Sequence, residues 1–148
     1  MPTLRSIVAL ALAVALAPVP ALAKSAASGK PAFKAGDPPG YWIWADDSGW
    51  HLRATTGKAQ HTFRGVINAE AVTGVTVTRT ALNQRLQASA KQIKFEFDLF
   101  SGVDGLDWQS PSRCLTFELR VDGKADPSKI HVGPKGEPPA DILFDACR

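Results

Sequence analysis

Ile93-Lys94-Phe95-Glu96-Phe97-Asp98-Leu99 alternates apolar and polar side chains without a break. A period of two puts the apolar residues on one face of a strand and the polar ones on the other. The pattern returns at Leu115, Phe117, Leu119 and Val121, which alternate with Thr116, Glu118 and Arg120. Val75 and Val77, set among Thr76 and Thr78, repeat it in shorter form. Aromatic and β-branched residues fill these runs, as strands favour. Asp46-Asp47-Ser48-Gly49, Asp104-Gly105, Asp122-Gly123 and Pro134-Lys135-Gly136 supply the turns between them. Half-buried strands with turns about every eight to twelve residues predict an all-β fold. The expected architecture is a single antiparallel β-sandwich, or a small barrel, of about eight or nine short strands between Tyr41 and Cys147. Ala81–Lys91 fits a short helix through Leu82, Leu86 and Ala90, or a strand through Gln84, Leu86 and Ala88.

The first hairpin depends on its turn. A three-residue turn, Asp47-Ser48-Gly49 with Gly49 left-handed, sets Asp46 opposite Trp50, Trp44 opposite Leu52 and Trp42 opposite Ala54. These residues then share the core face, and Tyr41, Ile43, His51 and Arg53 take the other. A slip of one residue moves one strand's side chains to the opposite face.

Upstream of the strands the composition changes. Residues 1–23 read as a secretory signal peptide: Arg5, an apolar run from Ile7 to Ala17, a Pro18-Val19-Pro20 break, then the small–x–small site Ala21-Leu22-Ala23. The run is shorter than the roughly 20 residues a spanning helix needs, so no membrane anchor is expected. Residues 24–39, rich in small residues and lysine, read as a flexible basic tail, and 40–148 as the sandwich domain. The expected destination is the periplasm or the extracellular medium.

An exported chain with two cysteines is expected to form a disulfide. Pairing Cys114 with Cys147 across two antiparallel strands also sets Phe117 opposite Phe144 and Leu119 opposite Ile142, all on the core face. One register thus joins both the cysteines and the apolar residues. Closing a loop of about 34 residues contributes about 3.7 kcal/mol through chain entropy.

Chemistry is sparse. The chain has no GxSxG elbow, HExxH, GxGxxG or phosphate loop, and no cysteine–histidine spacing of the zinc kind. His51, His61 and His131 lie in separate segments. Asp46/Asp47 and Asp104/Asp107 fall in expected turns, where Asp caps backbone amides, though a carboxylate pair also suits calcium or acid–base work. Trp108, after the Gly-rich Ser101–Asp107 stretch, is expected either to plug one end of the sandwich or to stack on a ligand. Trp108, Asp107, Asp104 and Tyr41 are the candidate ligand-binding residues.

The formal charge is +3, from 17 basic and 14 acidic residues. Arg5, Lys24, Lys30 and Lys34 precede residue 37, which leaves 13 basic against 14 acidic residues in the remainder. No phosphate-tracking stripe results, so nucleic acid is not an expected partner. The reading is a non-catalytic exported binding module that acts through its loops on a cell-envelope glycan or a protein, without cofactor or metal. The alternatives are an inhibitor of an exported enzyme and a small hydrolase built on an Asp/His pair.

Overall fold

The computed structural model describes residues 27–78, 82–111 and 115–146. The expected signal peptide, Cys114 and Cys147 lie outside the described residues. Among those described are ten strands and a single 3-10 turn, Pro127–Lys129. The strands are β1 (Gly40–Asp46), β2 (Gly49–Thr56), β3 (His61–Asn68), β4 (Thr73–Val77) and β5 (Leu82–Ala88). They continue with β6 (Gln92–Leu99), β7 (Gly102–Gln109), β8 (Thr116–Val121), β9 (Ile130–Val132) and β10 (Leu143–Asp145). Two five-stranded sheets face each other, in the orders β4-β7-β2-β1-β9 and β10-β8-β3-β6-β5.

The all-β sandwich is as the alternation requires, with three differences. Ten short strands replace eight or nine. The stretch from Leu82, ambiguous in sequence, is strand β5, with a bulge where Asn83 adopts φ +51° and donates to Asp98. The sandwich is not purely antiparallel, because β9 runs parallel to β1.

The core forms where the inner faces meet. Ile93, Phe95, Phe97 and Leu99 of β6 and Phe117, Leu119 and Val121 of β8 are all buried. Opposite them lie Tyr41, Ile43, Leu52, Leu106, Trp50 and Trp108. Each large side chain removed from water contributes roughly 1.5–3 kcal/mol. Trp50 and Trp108 are cross-strand partners with nearly parallel rings 6.3 Å apart, and both lean on Phe117. Their indole Nε1 atoms have no acceptor among the described residues, so the pair acts as apolar bulk and carries a desolvation cost of about 1–3 kcal/mol per group. Sheet two turns its other face to water, where Arg64 pairs with Glu96 and Arg120 with Glu118.

The hairpin register differs by one residue from the expected one. Asp46 faces Gly49, Ala45 faces Trp50, Trp44 faces His51 and Ile43 faces Leu52. The core face of β1 is therefore Tyr41, Ile43 and Ala45, while Trp42 and Trp44 point outward. The three-residue turn would have carried Asp46 onto the core face with them, which costs several kcal/mol for an unpaired carboxylate. The observed register leaves Asp46 outside, beside His51.

The outward tryptophans are covered by the segment expected to be a loose tail. Ala27 is buried, and two backbone hydrogen bonds join it and Gly29 to Ala45. Phe33 lies against both Trp42 and Trp44, at 5.5 and 5.7 Å between ring centres. His131 stacks on Trp42 at 4.0 Å and His51 on Trp44 at 4.8 Å, so five rings cross this face in a row. Lys30 and Arg53 lie over the Trp44 ring. Residues 27–39 of that segment lie on this face because Phe33 gains ring partners once Trp42 and Trp44 face outward.

Gly105 tests the closeness of β2 and β7. A Cβ there would stand 1.9 Å from the Leu52 carbonyl oxygen, a backbone atom. Gly105→Ala is expected to destabilise by about 3 kcal/mol, as overpacking does. Gly57→Ala, whose Cβ would meet only Gly36 O at 3.8 Å, should stay within about 0.5 kcal/mol of wild type. Urea midpoints of the two variants measure the difference.

Candidate functional site

The four candidate ligand residues do not form one site. Trp108 is 1% exposed and belongs to strand β7, not to a loop, so its ring is core rather than a stacking platform. The glycines around it misled the reading: Gly105 is there for close strand approach, not for a turn. Tyr41 is fully buried, and its hydroxyl lies 3.1 Å from Arg64 O and 2.8 Å from Arg120 O. It thereby ties β1 to β3 and β8 across the core. Burial pushes its phenol well above its usual pKa, which keeps it a donor. Asp104 is buried and accepts from Thr78 Oγ1 and the Gly105 amide. Asp107 lies on the outer face of the same strand. Three residues apart on a strand, the two carboxylates point to opposite faces and cannot chelate one ion.

Asp107 does meet a histidine. Its Oδ1 is 2.6 Å from His51 Nδ1 and 2.8 Å from Arg53 Nη2, because His51 and Asp107 are direct cross-strand partners. His51 Nε2 faces Asp46 Oδ1 at 3.0 Å and Ser48 Oγ at 3.1 Å. Ser48, His51 and Asp107 thus stand in the order of a nucleophile, a base and its orienting acid. Asp46 changes what they can do. Its Oδ1 accepts the Ser48 hydroxyl at 2.6 Å and the Ser48 amide at 2.8 Å, so the serine proton is directed to Asp46 and not to the imidazole. Partial burial pulls the Asp46 carboxyl upward, but the hydrogen bonds from Ser48 and His51 outweigh it and lower the pKa from 3.8 to about 2. A carboxylate that acidic is a weak base. The arrangement is a polar clamp on the β1–β2 turn, without an activated nucleophile.

The other histidines serve turns as well. His61 Nδ1 is 2.7 Å from Asp122 Oδ2, and the Thr62 amide donates to the same carboxylate. Burial raises the Asp122 pKa, yet these hydrogen bonds leave it below the usual carboxylate range. His131 Nδ1 lies 3.1 Å from Gly136 O. Among the described residues no group of three histidine, aspartate, glutamate or cysteine side chains is arranged to hold a metal ion.

The concave feature lies elsewhere, between the segment after β9 and strand β10. It is an open groove of about 1020 Å³. Val132, Phe144 and Ala146 form its more buried part, and Pro134, Pro138 and Pro139 line it further out. Gly133 and Gly136, both left-handed, close the turn beside it, where the Val132 amide donates to Glu137 O. Leu143 is 58% exposed and also lines it. Lys135, Glu137, Asp141 and Asp145 give the lining one positive and three negative side chains. Sequence reasoning missed this groove, since the 132–146 stretch that lines it, joined by Ser28, carries no motif. The Pro138-Pro139 pair beside the exposed Leu143 was the available signal.

No known protein family, curated protein or solved structure matches this chain.

The Asp46 clamp makes a pH prediction. Its pKa is depressed on folding, so its contribution is complete above pH 3.8 and fades as pH falls through about 2. The Asp46 side chain is 45% exposed, and solvent screening limits the effect to about 1 kcal/mol. Asp46→Asn should therefore be less stable than wild type by up to about that amount at pH 7. The gap should close near pH 2 in urea titrations.

Proposed function

We propose that the protein is an exported, non-catalytic β-sandwich that recognises an extended segment of another protein in the groove beside β10. The single observation that carries this reading is the exposed Leu143 in an apolar groove with a net acidic lining. Proline walls and a leucine suit a peptide with small apolar side chains, and the carboxylates suit lysine or arginine between them. A flexible segment of an exported enzyme belongs to this class, which makes inhibition one use of the site. A glycan is less well served. The tryptophans that would offer a sugar a flat face are in the core or, like Trp42, lie between Phe33 and His131.

The proposal includes the Cys114–Cys147 disulfide. Support comes from the register of β8 with β10, where Phe117 faces Phe144 and Thr116 faces Asp145. The Ala146 amide donates to Leu115 O, which carries the same register to the last described pair. The next pair in sequence is Cys114 and Cys147. Such a bond fits export to an oxidising compartment and fastens the strand that supplies Leu143.

Two measurements test the reading. A fluorescent peptide alternating Lys or Arg with Val and Pro should bind the exported protein, and Leu143→Asp should weaken it about tenfold or more. Absence of peptide binding, together with glycan-array binding that survives Leu143→Asp, would overturn it. Alkylation of the unfolded, unreduced protein should label no cysteine. Prior reduction should expose both thiols and lower stability by about 2–4 kcal/mol.

A further inference from the structure

The described chain begins beside the groove. Ser28 is part of the groove lining, Gly29 packs near Pro134, and Ala27 is the first described residue. A Cβ on Gly29 would sit 3.3 Å from Pro134 Cβ, so the incoming segment runs along the groove wall. Immediately upstream the sequence is Lys24-Ser25-Ala26. Four residues reach at most about 14 Å from Ser28 when extended. Removal of a leader after Ala23 would create an α-ammonium at Lys24, next to its ε-ammonium. Two positive charges would then be tethered within reach of a lining that holds Glu137 and Asp141 against Lys135.

We infer that the groove's resident occupant is this chain's own new N-terminus, Lys24–Ala26, whose ammonium groups pair with the groove carboxylates. The inference rests on the proposed leader removal and deepens the reading of the groove as a peptide site. The segment has the chemistry of the proposed ligand: a basic residue followed by small side chains. Tethering gives it an effective concentration in the millimolar range, so an external segment must displace it. Exposed ion pairs contribute little each, so the tether tunes affinity and does not block the site. The N-terminus is then a built-in competitor that lowers a partner's apparent affinity by a modest factor.

Zero-length carbodiimide coupling of the exported protein, with no peptide or added amine present, tests this directly. Mass spectrometry first fixes the N-terminal residue, which should be Lys24. The coupled product should join the Lys24 peptide to a carboxylate between Glu137 and Asp145, and the Glu137→Gln/Asp141→Asn double variant should reduce its yield. Lys24→Glu should bind the fluorescent peptide about two- to fivefold more tightly than wild type. Coupling that is absent, or equal in the double variant, overturns the inference, as does unchanged peptide affinity in Lys24→Glu. These results leave the peptide-site reading standing if the peptide still binds. Coupling at the predicted carboxylates without any peptide binding supports the inference and removes the partner reading instead.

Discussion

The register of the first hairpin governs the rest of the molecule. With Asp46 opposite Gly49, β1 turns Tyr41, Ile43 and Ala45 inward and sends Trp42 and Trp44 out. Asp46, Ser48 and His51 meet only in that register, since Asp46 and His51 would otherwise lie on opposite faces. The clamp they form is thus both a product of the register and a reason for it. A shift by one residue would bury Asp46, expose Ile43 and leave Tyr41 Oη unable to span the core to Arg64 O and Arg120 O.

Two unequal faces follow. Sheet two exposes a polar face crossed by ion pairs, while sheet one has rings on its outer face and needs a cover. Residues 27–39 provide it, with Phe33 set between Trp42 and Trp44. The outer face of β1 is therefore covered, whereas the β4 edge of the same sheet stays exposed. The cover is pinned at Ala27 and Gly29 to Ala45, and near its other end Pro38 O accepts from Thr55 Oγ1. The open groove lies at one end of the sandwich, where the chain passes from β9 to β10 and Ser28 of the cover segment joins the lining.

Much of this architecture was legible in the sequence where a strand has one wet face. The alternation of Ile93–Leu99 and of Leu115–Val121 gave the faces of β6 and β8 correctly. The expected partnership of Phe117 with Phe144 is the one observed. Legibility failed where a strand is covered on both faces. In Tyr41-Trp42-Ile43-Trp44 every residue is apolar, so the pattern could not say which side faces in. The turn then decided the matter, and its type depended on a side-chain contact between Asp46 and His51 that spacing alone does not reveal. Asp107 does contact a histidine, but His51 belongs to a strand paired with its own, 56 residues away, which spacing does not reveal. Asp104-Gly105 read as a turn because the reason for the glycine, the Leu52 carbonyl, lies on another strand.

The parallel pairing of β9 with β1 has a kinetic meaning. Ile130 must find Tyr41, about 90 residues earlier, whereas β1 finds β2 across a two-residue turn. Contacts of such separation carry the largest loop-closure entropy and, in general, form late. The groove draws on Ser28, on the segment after β9 and on β10, so it gathers the chain's beginning and its end. A chain that has paired only its early hairpins does not yet have this groove. The groove is then a property of the finished fold: it exists only once β10 is in place.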